Sequence, residues 1–402
     1  MKTGREFAAR VPKSTPLPTM PSEFGAPDKG RDFTGYCKVS ARLVAVRHGG
    51  ASIRSMEFLS VLNRILGSIA AIAVAAAAAS TPATAARPSQ TISRIPLPGE
   101  GRGDFLTADG LTNRLYVTHG ARVHILDLGT LRELAEVTGL TDAHGVAIDH
   151  KGGHAFVTDS GPNSVVMFDP ATGRKLKSIP AGKKPDSILL DPASGKVLAF
   201  NGEGSDVTII DPASAQATGS IKLPSNPESA QTDGNGKVWV TMGDAGAIAE
   251  IDAKTMKFVR SIPLAGCEDP APLAFDAANR VLFTGCANKI MVVTEADTGK
   301  SLAKVAIGAD PDGIVLDRAT KRIFVANRDG GWTIIDQQGK ARYAVNQTLK
   351  IDPYAKTVAL DAATHRVFSS TADLVWPKKE PGKKYLPNAK SGTFRLVVVS
   401  QR

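Results

Sequence analysis

The sequence predicts an all-β protein: one seven-bladed β-propeller of four-stranded antiparallel blades. Three observations predict this fold. The chain contains a repeat whose steps are 40 to 44 residues, each repeat holds up to four short apolar runs, and turn residues separate the runs. Glycine is plentiful, at 38 residues, and aromatic residues make up only 5%. This composition suits many short strands joined by tight turns.

Each repeat is marked by an aspartate that ends its first apolar run. In the third repeat the run "SILLD" is followed by the turn "PASGK", a second run "VLAFNG" and a third run "VTIID". Such a unit cannot bury both faces alone, so we expect adjacent units to stack around an axis. The marking residues are Asp109, Asp149, Asp191, Asp233, Asp276, Asp317 and Asp361, which we interpret as turn residues.

The two ends of the repeat array predict how the ring closes. The seventh repeat has a second run at 366–371 and a third, "TFRLVVVS", and then reaches Arg402 without a fourth. The segment Thr91–Ile95 has the character of a fourth strand and has no repeat of its own. Pairing it beside 393–400 would complete the last blade and cover its exposed edge.

A leader precedes the repeats. Leu66–Ser80 is a 15-residue apolar run preceded by Arg64 and followed by small residues, which is typical of a secretory signal peptide cut near Ala85 or Ala86. The run is shorter than a membrane-spanning helix requires, so we expect no stable membrane insertion. A short buried helix is the alternative. The signal predicts a periplasmic or secreted protein.

The chain therefore divides into three parts. Met56 stands just before the leader, so we expect residues 56–86 to be the signal peptide and 87–402 to be the propeller. Residues 1–55 show no apolar periodicity and would be a disordered extension, assigned in error if Met56 is the true start.

The charge of the chain does not indicate a nucleic-acid partner. The formal net charge is +10, but residues 1–87 hold 12 Lys and Arg against 5 Asp and Glu. The rest of the chain is close to balanced and has no basic stripe with interleaved aromatic residues. We therefore exclude nucleic acid as the partner.

The repeats resemble a known family. "RLYVTHGARVHILDLGTLRELAEV" and "IFVANRDGGWTIIDQQGK" are similar to the YVTN-type β-propeller repeat of secreted bacterial proteins, a WD40-like repeat, and Tyr116–His119 comes closest to the YVTN motif itself. The resemblance covers all seven repeats. It implies a periplasmic propeller and little specific chemistry, because the fold carries unrelated functions.

A variable position lies five residues before each marking aspartate, and we call it the inner position. Repeat symmetry should bring all seven inner positions to one end of the central channel, which we call the mouth. Five of the seven are Asp, Glu or His, although the fold requires no particular side chain there. They are Asp104, His144, Asp186, Glu228, Ala271, Asp312 and Lys356.

The last residues of the second strands should face the same mouth. They are His119, Asp159, Asn201, Met242, Cys286, Asn327 and Thr371. We therefore expect a polar ligand-binding mouth. Its candidate residues are Asp104, His119, His144, Asp159, Asp186, Asn201, Glu228, Asp312, Asn327 and Lys356.

A divalent cation is a candidate cofactor at the mouth. Crowded carboxylates repel one another unless a cation, a lysine or water screens them. Oxygen ligands favour Ca²⁺ or Mg²⁺, whereas His119 with His144 would favour Zn²⁺ or Cu²⁺. Lys356 could supply the counter-charge instead, and a solvated acidic funnel is the alternative. The candidate metal ligands are Asp104, His144, Asp186, Glu228 and Asp312.

Two cysteines fall on the same face of the predicted propeller. Cys267 lies in the loop that leads into the fifth blade, and Cys286 ends the second strand of that blade. In an oxidising compartment we expect a disulfide between them, with free thiols or a soft-metal pair as alternatives. The paired "GCEDP" and "TGCAN" segments also resemble the repeat family, which implies a structural role.

The seventh blade contains an insertion, residues 376–392, between its second and third strands. We expect it to project over the mouth. It carries five Lys against one Glu and could be a flap over an acidic funnel or a passive solvated loop.

No motif for a nucleophilic serine, a haem attachment or a zinc-protease helix is present, and we assign no catalytic residue. The predicted function is a binding or scaffold module for a small ligand, a peptide or a periplasmic protein. The alternative is a metal-dependent hydrolase of the lactonase kind, using carboxylates on a divalent cation. A weaker hypothesis is an accessory to a periplasmic redox or transport system.

Overall fold

A computed structural model describes residues 90–377 and 387–401. The predictions for residues 1–55 and 56–86 lie outside the described residues. Within the described ranges every regular element is a β-strand, and no helix there is long and apolar enough to cross a membrane.

The strands form seven four-stranded antiparallel sheets, numbered here as blades 1 to 7, and one short hairpin. Blades 1 to 6 each take four consecutive strands, beginning with β2, and blade 7 takes β26, β27, β30 and β1. In chain order the strands are β1 (Gln90–Pro96), β2 (Gly103–Asp109), β3 (Arg114–His119), β4 (Arg122–Asp127), β5 (Glu133–Val137), β6 (Ala143–Asp149), β7 (His154–Asp159), β8 (Ser164–Phe168), β9 (Lys175–Pro180), β10 (Pro185–Asp191), β11 (Lys196–Asn201), β12 (Asp206–Asp211), β13 (Gln216–Lys222), β14 (Pro227–Thr232), β15 (Lys237–Met242), β16 (Ala247–Asp252), β17 (Lys257–Pro263), β18 (Pro270–Asp276), β19 (Val281–Cys286), β20 (Ile290–Glu295), β21 (Ser301–Ala306), β22 (Pro311–Asp317), β23 (Arg322–Asn327), β24 (Gly331–Gly339), β25 (Arg342–Lys350), β26 (Ala359–Asp361), β27 (Arg366–Thr371), β28 (Leu374–Val375), β29 (Asn388–Ala389) and β30 (Arg395–Gln401).

The blades form a closed ring around a central channel. The first strand of each blade contacts the first strands of its two neighbours, and β26 of blade 7 contacts β2 of blade 1. Residues from all seven blades line a channel cavity of about 200 Å³. The seven-bladed propeller predicted from the repeat is therefore confirmed, and corresponding positions do lie around one axis.

Closure of the ring follows the predicted strand pairing. β1 pairs antiparallel with β30, from Gln90 opposite Gln401 to Pro96 opposite Arg395. The Nε atom of Arg94 also lies 2.8 Å from a carboxylate oxygen of Asp352. The N-terminal strand thus supplies the fourth strand that blade 7 lacks.

The core consists of the interfaces between blades. In β11 alternate side chains point to opposite faces, as strand geometry requires. Leu198 and Phe200 are buried against blade 4, whereas Val197 and Ala199 are buried against blade 2. Because both faces are covered, the second strands read as continuous apolar runs in the sequence.

The repeated aspartates cap the first hairpin of each blade, as predicted. The Oδ1 atom of Asp149 accepts hydrogen bonds from the backbone N–H of Lys151 at 3.1 Å and of Gly152 at 3.0 Å. This Asx-turn geometry explains why aspartate recurs there. The other six aspartates likewise accept a hydrogen bond from the backbone N–H two or three residues later. They are Asp109, Asp191, Asp233, Asp276, Asp317 and Asp361.

Cys267 and Cys286 form a disulfide, as predicted, with Cα atoms 5.3 Å apart. The insertion in blade 7 lies between β27 and β30, also as predicted. Its base is the β28–β29 hairpin, and residues 378–386 lie outside the described part of the chain.

Candidate functional site

The inner positions of blades 1, 2 and 3 meet at the mouth around the imidazole of His144. His144 Nδ1 lies 2.5 Å from Asp104 Oδ2 and 3.2 Å from Asp186 Oδ1. On the other side of the imidazole, His144 Nε2 lies 3.0 Å from Ser160 Oγ and 3.2 Å from Asp142 Oδ2. The imidazole is therefore held from both nitrogens, and its orientation is fixed before any ligand arrives.

Lys356 links the inner positions of blades 6, 7 and 1. Its Nζ lies 2.8 Å from Asp104 Oδ1 and 2.5 Å from Asp312 Oδ2. Asp312 also accepts a hydrogen bond from Arg328 at 3.3 Å. The counter-charge considered from the sequence is thus present, and it bridges three blades.

These contacts set the protonation of the group. Burial alone would raise the pKa of Asp104, but Lys356 and the hydrogen bond from His144 hold it well below its usual range. Burial alone would lower the pKa of His144, yet its hydrogen bonds to Asp104 and Asp142 raise it to about 11. His144 is therefore an imidazolium at neutral pH, paired with carboxylates.

Two other carboxyl groups at the mouth have raised pKa values, in contrast to Asp104. Burial raises the pKa of Asp186 to about 6, although the charge of His144 opposes the change. Burial, together with the charges of Asp186 and Asp312, raises the pKa of Glu228 to about 8. These groups hold protons more firmly than ordinary surface carboxyls.

The group lines a cavity of about 420 Å³ at the mouth. Asp104, His144, Asp186, Glu228 and Lys356 are all among its lining residues. A neighbouring groove of about 640 Å³ between blades 3 and 4 shares Asp186 and Glu228. Asp312 borders the channel directly below.

Three of these side chains have the arrangement of a metal site. Ligand atoms of Asp104, His144 and Asp186 all lie within 4.8 Å of one another. A cation bound by all three would replace the hydrogen bond between His144 Nδ1 and Asp104. Two carboxylates and one imidazole suit a divalent cation.

Of the seven residues that end the second strands, Thr371 lines this cavity and the other six do not. His119 is fully buried in blade 1, with its ring centroid 3.5 Å from that of Phe394 and its Nδ1 atom 3.1 Å from His124 Nε2. Burial lowers the pKa of His119 to about 3. Neither group of clustered metal-ligand atoms found among the described residues contains His119, so the joint Zn²⁺ or Cu²⁺ site with His144 stays a prediction.

The other second-strand candidates hold loops rather than face the mouth. Asp159 Oδ1 accepts hydrogen bonds from the backbone N–H of Thr141 at 3.0 Å and of Asp142 at 2.8 Å. Asp159 thereby positions the segment that carries Asp142 and His144. Asn201 donates to Asp206 at 2.8 Å, and Asn327 donates to the carbonyl of Gly331.

A second group with metal-ligand geometry lies away from the mouth. Ligand atoms of His124, Glu133 and Glu136 lie within 4.8 Å of one another on the outer strands of blade 1. His124 Nδ1 is 2.7 Å from Glu133 Oε1, but Glu136 is already paired with Arg122 at 2.5 Å. This pairing leaves less negative charge for a cation.

The structure adds mouth residues that the sequence prediction missed. Arg102, Asp142, Lys184 and Tyr354 line the cavity, and each lies two residues before an inner position. Lys184 and Tyr354 have positive φ angles, 54° and 60°. The repeat alignment could have identified this second ring of positions. Arg328 also lines the cavity, and its only signal is that it follows the second strand of blade 6.

Comparison with known proteins supports the fold. No protein-family model matches the chain. A 54-residue segment is 39% identical to the PE-PGRS family protein PE_PGRS18 of Mycobacterium tuberculosis (strain ATCC 25618 / H37Rv), and the match spans 13% of this chain and 12% of that protein. So short a match assigns no family.

Two solved structures are similar over most of the chain. One is the RRP9 WD40 repeats, with a TM-score of 0.64, 6% identity, and coverage of 77% of this chain and 97% of that one. The other is Kuenenia stuttgartiensis hydrazine synthase, with a TM-score of 0.58, 15% identity, and coverage of 72% and 95%. At these identities the similarity shows the propeller fold alone.

Proposed function

We propose that this protein is an exported β-propeller that binds a small polar ligand in the mouth cavity. The observation that carries the proposal is the cavity of about 420 Å³ around the preoriented Asp104–His144–Asp186 group. A few fixed polar groups in a concave site of this size are typical of ligand pockets. Groups that are already held in place lose little conformational entropy when a ligand binds.

A screen by thermal shift against a library of small polar metabolites tests this function. Compounds that bind at the mouth should lose their effect in Asp186→Asn and keep it in Arg342→Gln, whose exposed arginine lies on the outer strand of blade 6. Stabilisation that persists unchanged in Asp186→Asn would place the ligand elsewhere and contradict the proposal. The same mouth could receive a side chain of a peptide or of a periplasmic protein.

Export and membership of the YVTN-type repeat family belong to the same proposal. The apolar run Leu66–Ser80 and the small residues after it support export. Mass spectrometry of the mature protein should find its N-terminus near Ala85 or Ala86. A terminus upstream of Met56 would refute the assigned start.

The second candidate is a metal-dependent hydrolase of the lactonase kind, favoured by the clustered ligand atoms of Asp104, His144 and Asp186. A divalent cation held there would polarise a substrate carbonyl. Metal analysis before and after chelation, with lactone hydrolysis assays, distinguishes the two functions. A stoichiometric cation lost together with activity would favour the hydrolase, whereas a metal-free protein whose melting temperature is unchanged in chelator would exclude this version of it.

A further inference from the structure

The charged groups of the mouth cavity differ in how they are paired. Lys356 and Arg328 contact carboxylates there, and the imidazole of His144 contacts carboxylates as well. Their carboxylate partners include Asp104, Asp142 and Asp312. Arg102 and Lys184 also line the cavity, but among the described residues no lysine or arginine forms an ion pair with Asp186 or Glu228.

Asp186 and Glu228 share one wall of the cavity. Within the described residues, the side chain of Glu228 has a single hydrogen-bond partner, the neutral amide of Asn226 at 3.2 Å. Asp186 Oδ1 is buried without a hydrogen-bond partner in the described chain and lies 3.2 Å from His144 Nδ1. Lys184 lies nearby but is half exposed and 3.9 Å from Glu203. In the described part of the chain, these two carboxyls therefore have no lysine or arginine in contact with them, although Lys184 lines the same cavity.

The opposite wall carries an incompletely paired arginine. Arg328 donates through one Nη atom to Asp312 at 3.3 Å, and 41% of its side chain is exposed, although its Nε is buried without a partner in the described chain. Tyr354 lies beside it and contacts Trp376, with ring centroids 5.9 Å apart. A guanidinium with free N–H groups beside aromatic rings suits a carboxylate.

Ring order places these two walls across the channel from each other. Asp186 and Glu228 belong to blades 3 and 4, whereas Arg328 and Tyr354 belong to blade 6 and to the loop that leads into blade 7. In a closed ring of seven, those pairs of blades are about half a turn apart. One small molecule in the cavity can therefore meet both walls.

We propose that the ligand of this cavity is a small zwitterion, with its ammonium group at Asp186 and Glu228 and its carboxylate at Arg328. This inference rests on the proposed ligand-binding function. The ammonium would contact two carboxyls that no lysine or arginine of the described chain contacts, and its charge would favour ionisation of Glu228, whose pKa burial raises to about 8. The carboxylate would add a partner to Arg328. Amino acids with a separated amine and acid, and short peptides with free termini, belong to this class.

Isothermal titration calorimetry with a matched panel tests the inference. The panel is glycine, 4-aminobutyrate, 6-aminohexanoate, diglycine and triglycine, with butylamine and butyrate as one-charge analogues. The best zwitterion should bind at least about tenfold tighter than either one-charge analogue, because each loses one charge-assisted contact. The panel also varies the distance between the two charged groups.

Variants assign each end of the ligand to a wall. Arg328→Gln should remove the advantage of the zwitterion over butylamine, and Asp186→Asn with Glu228→Gln should remove its advantage over butyrate. The matched controls are Arg342→Gln and Glu295→Gln, whose residues lie at the opposite end of their blades from the mouth. Both controls should bind as the unaltered protein does.

The outcomes separate the two proposals. Equal binding of butylamine and the best zwitterion would overturn the zwitterion, while mouth binding would stand if Asp186→Asn weakened it. Failure of the whole panel, with a library compound still dependent on Asp186, would also overturn the inference alone. Zwitterion binding unaffected by any mouth variant would contradict both proposals.

Discussion

Some charged residues at the mouth form ion pairs between blades, whereas others have no such partner. Lys356 and His144 pair with carboxylates from neighbouring blades, so their first effect is to hold the blades together. Asp186 and Glu228 contribute little to such pairing, and burial raises the pKa of both. Groups that the fold does not use, and that remain partly desolvated, are the better candidates for a ligand.

Glu228 should make stability depend on pH. Its pKa is raised from the ordinary value of 4.5 to about 8, so between these values the folded state binds a proton that the unfolded state has lost. This stabilising contribution is complete below about pH 4.5 and is lost as the pH rises through 8. The free energy of unfolding should fall across this range by an amount on the order of 5 kcal/mol.

Urea unfolding of Glu228→Gln at pH 5 to 9 measures this contribution, since the variant should lack that part of the slope. The groups that face Glu228 are Asp186, Asp312 and Asp269, and all three remain in the variant. Glu268→Gln, at an exposed position, is the control and should keep the original slope. Parallel pH profiles for the unaltered protein and Glu228→Gln would show that Glu228 is not desolvated.

Single elements of the fold are stabilised locally, and blade 5 is the clearest case. Its inner position is Ala271, which offers no ion pair at the mouth. The Cys267–Cys286 disulfide instead ties the loop before β18 to the end of β19. A covalent link thus stands where the other blades use polar contacts.

Removing this disulfide should destabilise the protein without changing the fold. The bridge closes a loop with a sequence separation of 19 residues, so Cys267→Ala with Cys286→Ala should lower the free energy of unfolding by about 3 kcal/mol. Urea unfolding measures the change. The unaltered protein in reductant should match the double variant, and equal stability with and without reductant would show that the bridge contributes nothing.

At the scale of the whole molecule, the ring depends on one strand from far away in the sequence. β1 pairs along its full length with β30, whose partner on the other side is β27. Without β1, the edge of β30 would expose its backbone N–H and C=O groups to other chains. Closure is thus both a stabilising contact and a protection against aggregation.

A variant that begins at residue 98 should therefore lose stability and aggregate, compared with one that begins at residue 87. The lost pairing is on the order of 5 kcal/mol, from several backbone hydrogen bonds at about 1 kcal/mol each. Thermal unfolding with light scattering measures both effects. Adding the peptide "TISRIPLP" should restore stability, whereas a scrambled peptide should not; a shortened protein as stable as the longer one would contradict the role of β1.

The sequence could predict the fold because the features that define the repeat depend on interactions between residues close together in the sequence. The aspartates that end each first strand, such as Asp149 and Asp191, cap turns that need only neighbouring residues. Because both faces of the second strands are buried, these strands can be recognised in the sequence as continuous apolar runs. The unpaired ends of the array predicted the contact of Thr91–Ile95 with the last strand, because a sheet edge must be covered.

The sequence alone determined that seven equivalent units surround one axis, and therefore which residues could share the mouth. Tertiary structure decided which of them reach it. A side chain at a strand end can point into the channel or into the blade, and only packing showed that His119 stacks on Phe394 while His144 meets Asp104. Ion pairs between blades likewise depend on distances that the sequence does not give. Only the structure shows that Lys356 and His144 both contact Asp104, while Asp186 and Glu228 have no lysine or arginine in contact within the described chain.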